Sequence, residues 1–394
     1  MGRWSGEAGG LWPLRTLFLL SGAGGAALLP FFAPLLQGRG LDPEQIGLVL
    51  GATSLAGAVA TPLWSHLADT RLGAVRVLQL SALTTVMGVL ALALAGSALL
   101  PVLVAAALMS ACSAPETPLS DALAVGYLGA ERMTEYGRIR LWASAGWGVA
   151  VIAFGVLFQH LGLGPALPLY ALGVGLFGLW TLRLPAGAPL PMPARSRLGA
   201  VGDVLRSSPR LLPFLGGVFL VSVAGSAAWG FVGLRILGQG GGPFLVGLAA
   251  GLTAFVEIPV MYSSAPLGRR FGQRSIYVTG ALVYAAVFLA WTFVRDPLTI
   301  TLVASADGVA FALAYTGVVV IVGKLVPARL ASTGQSLAWV VAGNMAPIFG
   351  GALGGVVFAR LGAPALFAGS AALCVVGAAV VWIVLSGTEH SQGG

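Results

Sequence analysis

Twelve separate apolar runs recur along this 394-residue chain, near 13–36, 46–67, 75–95, 98–126, 141–160, 165–184, 210–234, 244–266, 275–294, 298–323, 335–358 and 364–385. Roughly 20 apolar residues in a helix cross the hydrocarbon core of a bilayer. Within lipid each backbone N–H and C=O must be satisfied inside its own segment, which leaves helices as the spanning form for runs of this length. The expected fold is therefore an all-α polytopic membrane protein with twelve transmembrane helices. Charged residues make up only 9% of the chain, where a soluble protein carries about a quarter. The 58 glycines suit close packing between such helices.

The formal charge of +8 is dispersed in short clusters between the runs, with no basic helix face or arm, so nucleic acid is not an expected partner. The first apolar stretch continues past Leu36 and is followed by many more like it, unlike a cleaved signal. Cys112 and Cys374 both lie in apolar runs and form neither a metal pattern nor a disulfide framework. His66, His160 and His390 are scattered; no HExxH or nucleophile elbow occurs. No metal, cofactor or enzymatic activity is expected.

The polar interruption LPAGAPLPMPARSRLGAVGDVLRSSPR divides the runs six and six. The expected organisation is an N-terminal six-helix bundle at 1–184, a cytoplasmic linker at 185–209 and a C-terminal six-helix bundle at 210–394. Seventeen of the 21 Lys and Arg fall on one side, which places both termini and the linker in the cytoplasm of a plasma (inner) membrane protein. Arg39, Arg235, Arg295 and Arg360 fall on the other side; Arg235 and Arg295, at helix ends, are expected to snorkel to the interface. The halves also repeat. SHLADTRLGAVR (65–76) matches SAPLGRRFGQRS (264–275), with Gly73 on Gly272, and RMTEYGRIRLWASAGW (132–147) matches RLASTGQSLAWVVAGN (329–344), with Trp142 on Trp339. Two parallel six-helix repeats are an architecture of secondary transporters.

At this point the chain resembles the major facilitator superfamily. LADTRLGAVR is similar to its loop between the second and third helices, with Asp69, Arg71, Gly73 and Arg76 implied as a gating loop; Ser65 stands where a Gly is usual, and one extra residue separates Asp and Gly. EYGRIRLWASAGWGVAVIAFGVLF (135–158) resembles the fifth helix of lactose permease and its relatives, and MYSSAPLGRRFGQR (261–274) the end of their eighth. LPFFAPLLQGRGLDPEQIGLVL (29–50) and PLSDALAVGYL (118–128) look like the phenylpropionate-permease branch. The resemblance implies proton-coupled uptake of a small organic solute. It also implies a His–Gly pair in the tenth helix, where this chain has Asp307 and Gly308.

The charges inside the runs carry the chemistry. The fourth and fifth helices are joined by a turn centred near residues 130–131, and Asp121 and Arg140 lie equally far from it. At about 1.5 Å rise per residue both sit up to ~15 Å from the turn, at one depth. Such a pair can neutralise itself or be lent to a polar substrate, and charges in this position are by default functional candidates. Arg140 would suit a carboxylate and Asp121 hydroxyls, so an aromatic acid, a sugar or a nucleoside all remain open. Glu116 lies five residues before Asp121, roughly 140° around the helix, either lining a cavity or hydrogen bonding a neighbouring helix. Pro115 and Pro118 distort the helix there.

Glu257 falls in the middle of the eighth run with no cation beside it in sequence, so it is protonated or paired across the bundle. Apolar surroundings favour the neutral acid, which is what a proton carrier needs. Asp307, inside the tenth run, is the second proton-coupling candidate. Asn344 and Trp147 are candidate substrate contacts, with helix packing as the plainer role; Trp229 and Tyr315 are weighed the same way. The expected protein is a monomeric symporter, its partners protons, a small-molecule substrate and the bilayer. A proton-antiporting exporter of drugs or sugars and a non-transporting receptor are the alternatives.

Overall fold

A computed structural model describes residues 11–128, 132, 135–184, 198–327 and 330–386. Arg3, Arg195, Arg197, Arg329, His390 and the linker stretch 185–197 lie outside them. Fifteen α-helices follow one another among the described residues. They are α1 Trp12–Ala26, α2 Phe32–Gly38, α3 Pro43–Leu67, α4 Ala74–Leu94, α5 Leu99–Ser113, α6 Glu116–Leu128, α7 Tyr136–Leu161 and α8 Ala166–Thr181. Then come α9 Leu198–Ser207, α10 Leu211–Gly238, α11 Pro243–Phe271, α12 Gln273–Phe293, α13 Pro297–Leu325, α14 Ala331–Trp339 and α15 Ala346–Leu385. No strand occurs among the described residues.

These helices make twelve passes. Ten stretches are long and apolar enough to span, and the shorter α8 adds an eleventh. The twelfth hides inside α15, whose helical path is broken at Gly362 (φ 84°, ψ 169°) just before Pro364. A left-handed glycine followed closely by proline is a helix stop and restart. Within the stretch at 185–209, read from sequence as linker throughout, residues 198–207 form α9.

The described residues fall into two units, the first within 11–41, 52–184 and 246–251 and the second within 42–51, 198–245 and 252–386. In the first, α1 packs along α7 and α8, and α4 along α5 and α8. In the second, α10 packs along α15, and α12 along α13 and α15. The repeat is written in the backbone: Gly40 and Gly240, Gly73 and Gly272, Gly162 and Gly362 all hold positive φ, between 71° and 91°. Only the Gly73–Gly272 correspondence stands out as a residue match in sequence. Gly73 closes a π-helical turn at Ala68–Leu72 and leads straight into α4, as Gly272 leads from α11 into α12.

Helix ends inside the units are tied by side chains. Arg39 Nη1 donates to the carbonyl of Leu92 at 2.7 Å, at the end of α4. Arg235 does the same for the end of α12, Nη2 donating to Val294 at 3.0 Å. Arg235 is only 9% exposed, so the expectation that it snorkels to the interface is corrected: a free backbone carbonyl holds the guanidinium in place. Asp296 caps α13, accepting from the backbone N–H and the hydroxyl of Thr299 at 2.7 and 2.6 Å. The Thr299 hydroxyl, then its N–H, hold the Asp296 carboxyl below its ordinary range. That stabilisation is present above the unfolded-state pKa and is lost as pH falls through the depressed folded one. Asp296→Ala is therefore expected to lower the thermal midpoint at neutral pH, the deficit closing as pH falls through the depressed folded-state pKa.

Candidate functional site

Two clusters of polar groups lie within membrane-spanning helices, one in each unit. In the first unit Asp121 on α6 faces Arg140 on α7, with Arg140 Nε 3.6 Å from Asp121 Oδ1. The depth argument from the hairpin thus places them together. The tie beneath them is apolar: Leu14 and Phe18 of α1, Ala124 and Leu128 of α6, and Ile139 and Ala143 of α7 form one buried core. Arg140 also lies over the Phe18 ring, 5.7 Å from its centroid, a cation–π contact. The Tyr136 hydroxyl hydrogen bonds the Asp121 side chain.

At 3.6 Å the pair is an ion pair and not a hydrogen bond. Asp121 Oδ1 is buried with no hydrogen-bond partner, while the two side chains as wholes remain 42% (Arg140) and 32% (Asp121) exposed. The nearest cationic group to this oxygen is the Arg140 Nε at 3.6 Å. Trp147 lies about two turns further along α7 and packs its ring on Gly25 of α1.

Glu116 turns elsewhere. It opens α6 after a break at Ala114–Pro115, and its carboxyl hydrogen bonds Ser21 of α1 near Tyr170 of α8. Sequence leaves cavity lining and helix contact open; the geometry favours a helix contact.

In the second unit Asp307 of α13 is 3% exposed. Its carboxylate is hydrogen bonded by the Trp229 side chain of α10 and lies in electrostatic range of Glu257 of α11. Asp307 Oδ1 has no hydrogen-bond partner. Gly308 creates this neighbourhood: a Cβ there would meet the carbonyl of Thr253, and the backbone nitrogen of Glu257 at 3.0 Å. Thr253 Oγ1 in turn donates to Ala304 at 2.8 Å, tying α11 to α13. Gly308→Val collides with backbone, and overpacking of this kind costs about 1–3 kcal/mol or more. A lower thermal midpoint in detergent is the expected result. Trp229 also meets Trp291 edge-on, with centroids 5.8 Å apart.

The other sequence candidates separate. Asn344 sits in a second π-helical turn, Val340–Met345; such turns are rare and gather at functional places. Tyr315 is 44% exposed and stacked on Phe311. Asp69 and Arg71 belong to the π-helical turn before Gly73, and Arg76 is exposed in the first turn of α4. His66 is exposed, and its backbone carbonyl accepts from the Thr70 hydroxyl. Sequence reasoning missed Ser21, Phe18 and Tyr170, because helix partners are distant in the chain, and Tyr136, whose hydroxyl reaches Asp121 across the hairpin. It also missed both π turns, which carry no simple residue signal. No group of three metal-ligating side chains occurs among the described residues.

Repeated six-helix halves, with charges held inside the spans, define an integral membrane protein built as a transporter. The chain belongs to the MFS_1 like family, which it matches over residues 11–368. It is 32% identical to the maltose permease of Geobacillus stearothermophilus, over 93% of this chain and 92% of that one. It is 28% identical to a probable 3-phenylpropionic acid transporter of Escherichia coli (strain K12), over 64% and 66%. Among solved structures, a mutant form of the nucleoside transporter NupG superposes with a TM-score of 0.85 at 18% identity, covering 95% of this chain and 99% of that one. A POT family transporter in complex with 5-aminolevulinic acid gives 0.72 at 12% identity, covering 96% and 97%.

Proposed function

We propose that the protein is a secondary active transporter taking up a neutral polyhydroxylated solute, a disaccharide of the maltose type, together with a proton by alternating access. The observation that carries this reading is the Asp121–Arg140 pair, which is partly exposed inside the spans and, at 3.6 Å, is not hydrogen bonded to itself. Sugar hydroxyls both donate and accept. One hydroxyl can give its proton to Asp121 while a neighbouring oxygen accepts from Arg140, leaving neither charge unpaired. Trp147, which is only partly buried, would offer apolar surface to a sugar ring. The maltose permease, related along almost the full length, supports the same class. The resemblance to NupG is one of fold and gives no argument about solute.

Protons are assigned to Asp307 and Glu257 in the second unit, where two neighbouring carboxyls can share one. We place the protein in the plasma (inner) membrane with both termini cytoplasmic, from the distribution of Lys and Arg. Asn344 would contribute a substrate hydrogen bond, and Asp69, Arg71, Gly73 and Arg76 the gating loop.

A carboxylic acid on Arg140 is the second reading, favoured by the guanidinium and by the phenylpropionic acid relative. Counterflow in proteoliposomes decides between them. Vesicles preloaded with unlabelled maltose should draw in labelled maltose, and unlabelled phenylpropionate should not compete. Competition by phenylpropionate without maltose exchange would replace the sugar by an acid.

A further inference from the structure

We propose that Glu116 is a proton-binding site in the first unit, seated at the break of the fourth span against α1 and α8 and separate from Glu257 and Asp307. The inference rests on the transporter reading and adds a site to it. Its basis is the place of the side chain. The fourth span, Leu99–Leu128, is interrupted at Ala114 and Pro115: α5 ends at Ser113 and α6 begins at Glu116, with Ala114 still in helical angles (φ −53°, ψ −35°). Side chains from other helices close over this break. Ser21 of α1 bonds the Glu116 carboxyl, and Tyr170 of α8 bonds Ser113 while lying in electrostatic range of Glu116. Close helix contact fixes both donors, since Gly24 of α1 and Gly173 of α8, each three residues on, meet backbone to backbone.

The groups found against Glu116 are uncharged hydroxyls. From α1 comes Ser21 and from α8 Tyr170, its titratable neighbour. Ser81 of α4 donates to the Cys112 carbonyl at 2.6 Å, which ties α4 to α5 one turn before Glu116. Arg140 of α7 is paired with Asp121. No cation pairs with Glu116 among the described residues. An ionised carboxylate taken from water without a counter-charge is costly, and one hydroxyl does not offset that. The neutral acid avoids the cost, so the carboxyl holds a proton when dry and releases it when water reaches the break. Glu116 and Asp121 share α6 and lie about 7.5 Å apart along its axis. Loading or losing that proton therefore acts on the helix that carries Asp121.

The test is made on the full chain in lipid, first without substrate. In infrared difference spectra, a protonated-carboxyl band should disappear as pH is raised. That band should be missing from Glu116→Gln at every pH and intact in Glu257→Gln and Asp307→Asn. Ser21→Ala, which keeps the carboxyl and removes its donor, should shift both the band and its titration. An unchanged band in Glu116→Gln, or an unshifted one in Ser21→Ala, overturns the proposal. The second arm uses maltose. Its affinity in the wild type should change over the pH range in which the band is lost, and Glu116→Gln should flatten that dependence. Loss of maltose binding in Glu116→Gln at all pH values, with no change in the band, would instead make Glu116 a sugar ligand and overturn the proton site. If the band behaves as expected while the wild type binds no maltose, the sugar reading fails and the proton site stands.

Discussion

Arg140→Ala is expected to lower kcat/KM for maltose uptake about a hundredfold while leaving the protein folded. The variant removes a charged donor from the solute and leaves Asp121 with no counter-ion. A hydrogen bond to a charged group contributes about 1.5–3 kcal/mol, and each 1.4 kcal/mol is tenfold. The pair is half-exposed, so the stability loss should be much smaller than for a buried pair. Arg140→Lys should recover only part of the activity. An ammonium keeps the charge but not the planar fork, nor the same stacking on Phe18. Asp121→Asn with Arg140→Ala should remove the unpaired charge and recover stability without recovering uptake. A double variant that transported normally would show that the pair only locks α6 to α7.

Glu257→Gln is expected to abolish accumulation of maltose against its gradient while sparing counterflow exchange. Exchange needs the solute site and conformational cycling but no net proton movement, whereas accumulation draws its energy from the proton. Asp307→Asn should give the same split, since Asp307 lies beside Glu257 and keeps an oxygen without a hydrogen-bond partner. If either variant lost exchange and accumulation together, that carboxyl would belong to the sugar site or to the fold. If both variants kept full accumulation, coupling would lie outside this cluster.

The spans were readable in the sequence because apolar length is a strong signal that lipid enforces. The Asp121–Arg140 pairing was readable too, since a hairpin fixes which positions share a depth. Other features depend on contacts that sequence distance hides. Glu116 meets Ser21 and Tyr170 only because α1 and α8 converge at Gly24 and Gly173. Arg235 looked like a snorkelling residue because its position at a helix end was visible, but not the free Val294 carbonyl beside it. The break at Gly362 was anticipated as the gap between two runs; its backbone conformation, matched by Gly162, was not. The π turns at Ala68–Leu72 and Val340–Met345 arise where one extra residue must be fitted into a helix, and Asn344 gains a setting that periodicity does not mark.

The most direct test of proton-coupled sugar transport uses purified protein in liposomes containing a trapped pH dye, with no imposed gradient. Adding maltose outside should acidify the lumen, and Arg140→Ala should abolish the response. Labelled maltose entering with no change in lumenal pH, in vesicles shown to hold a proton gradient, would contradict the account.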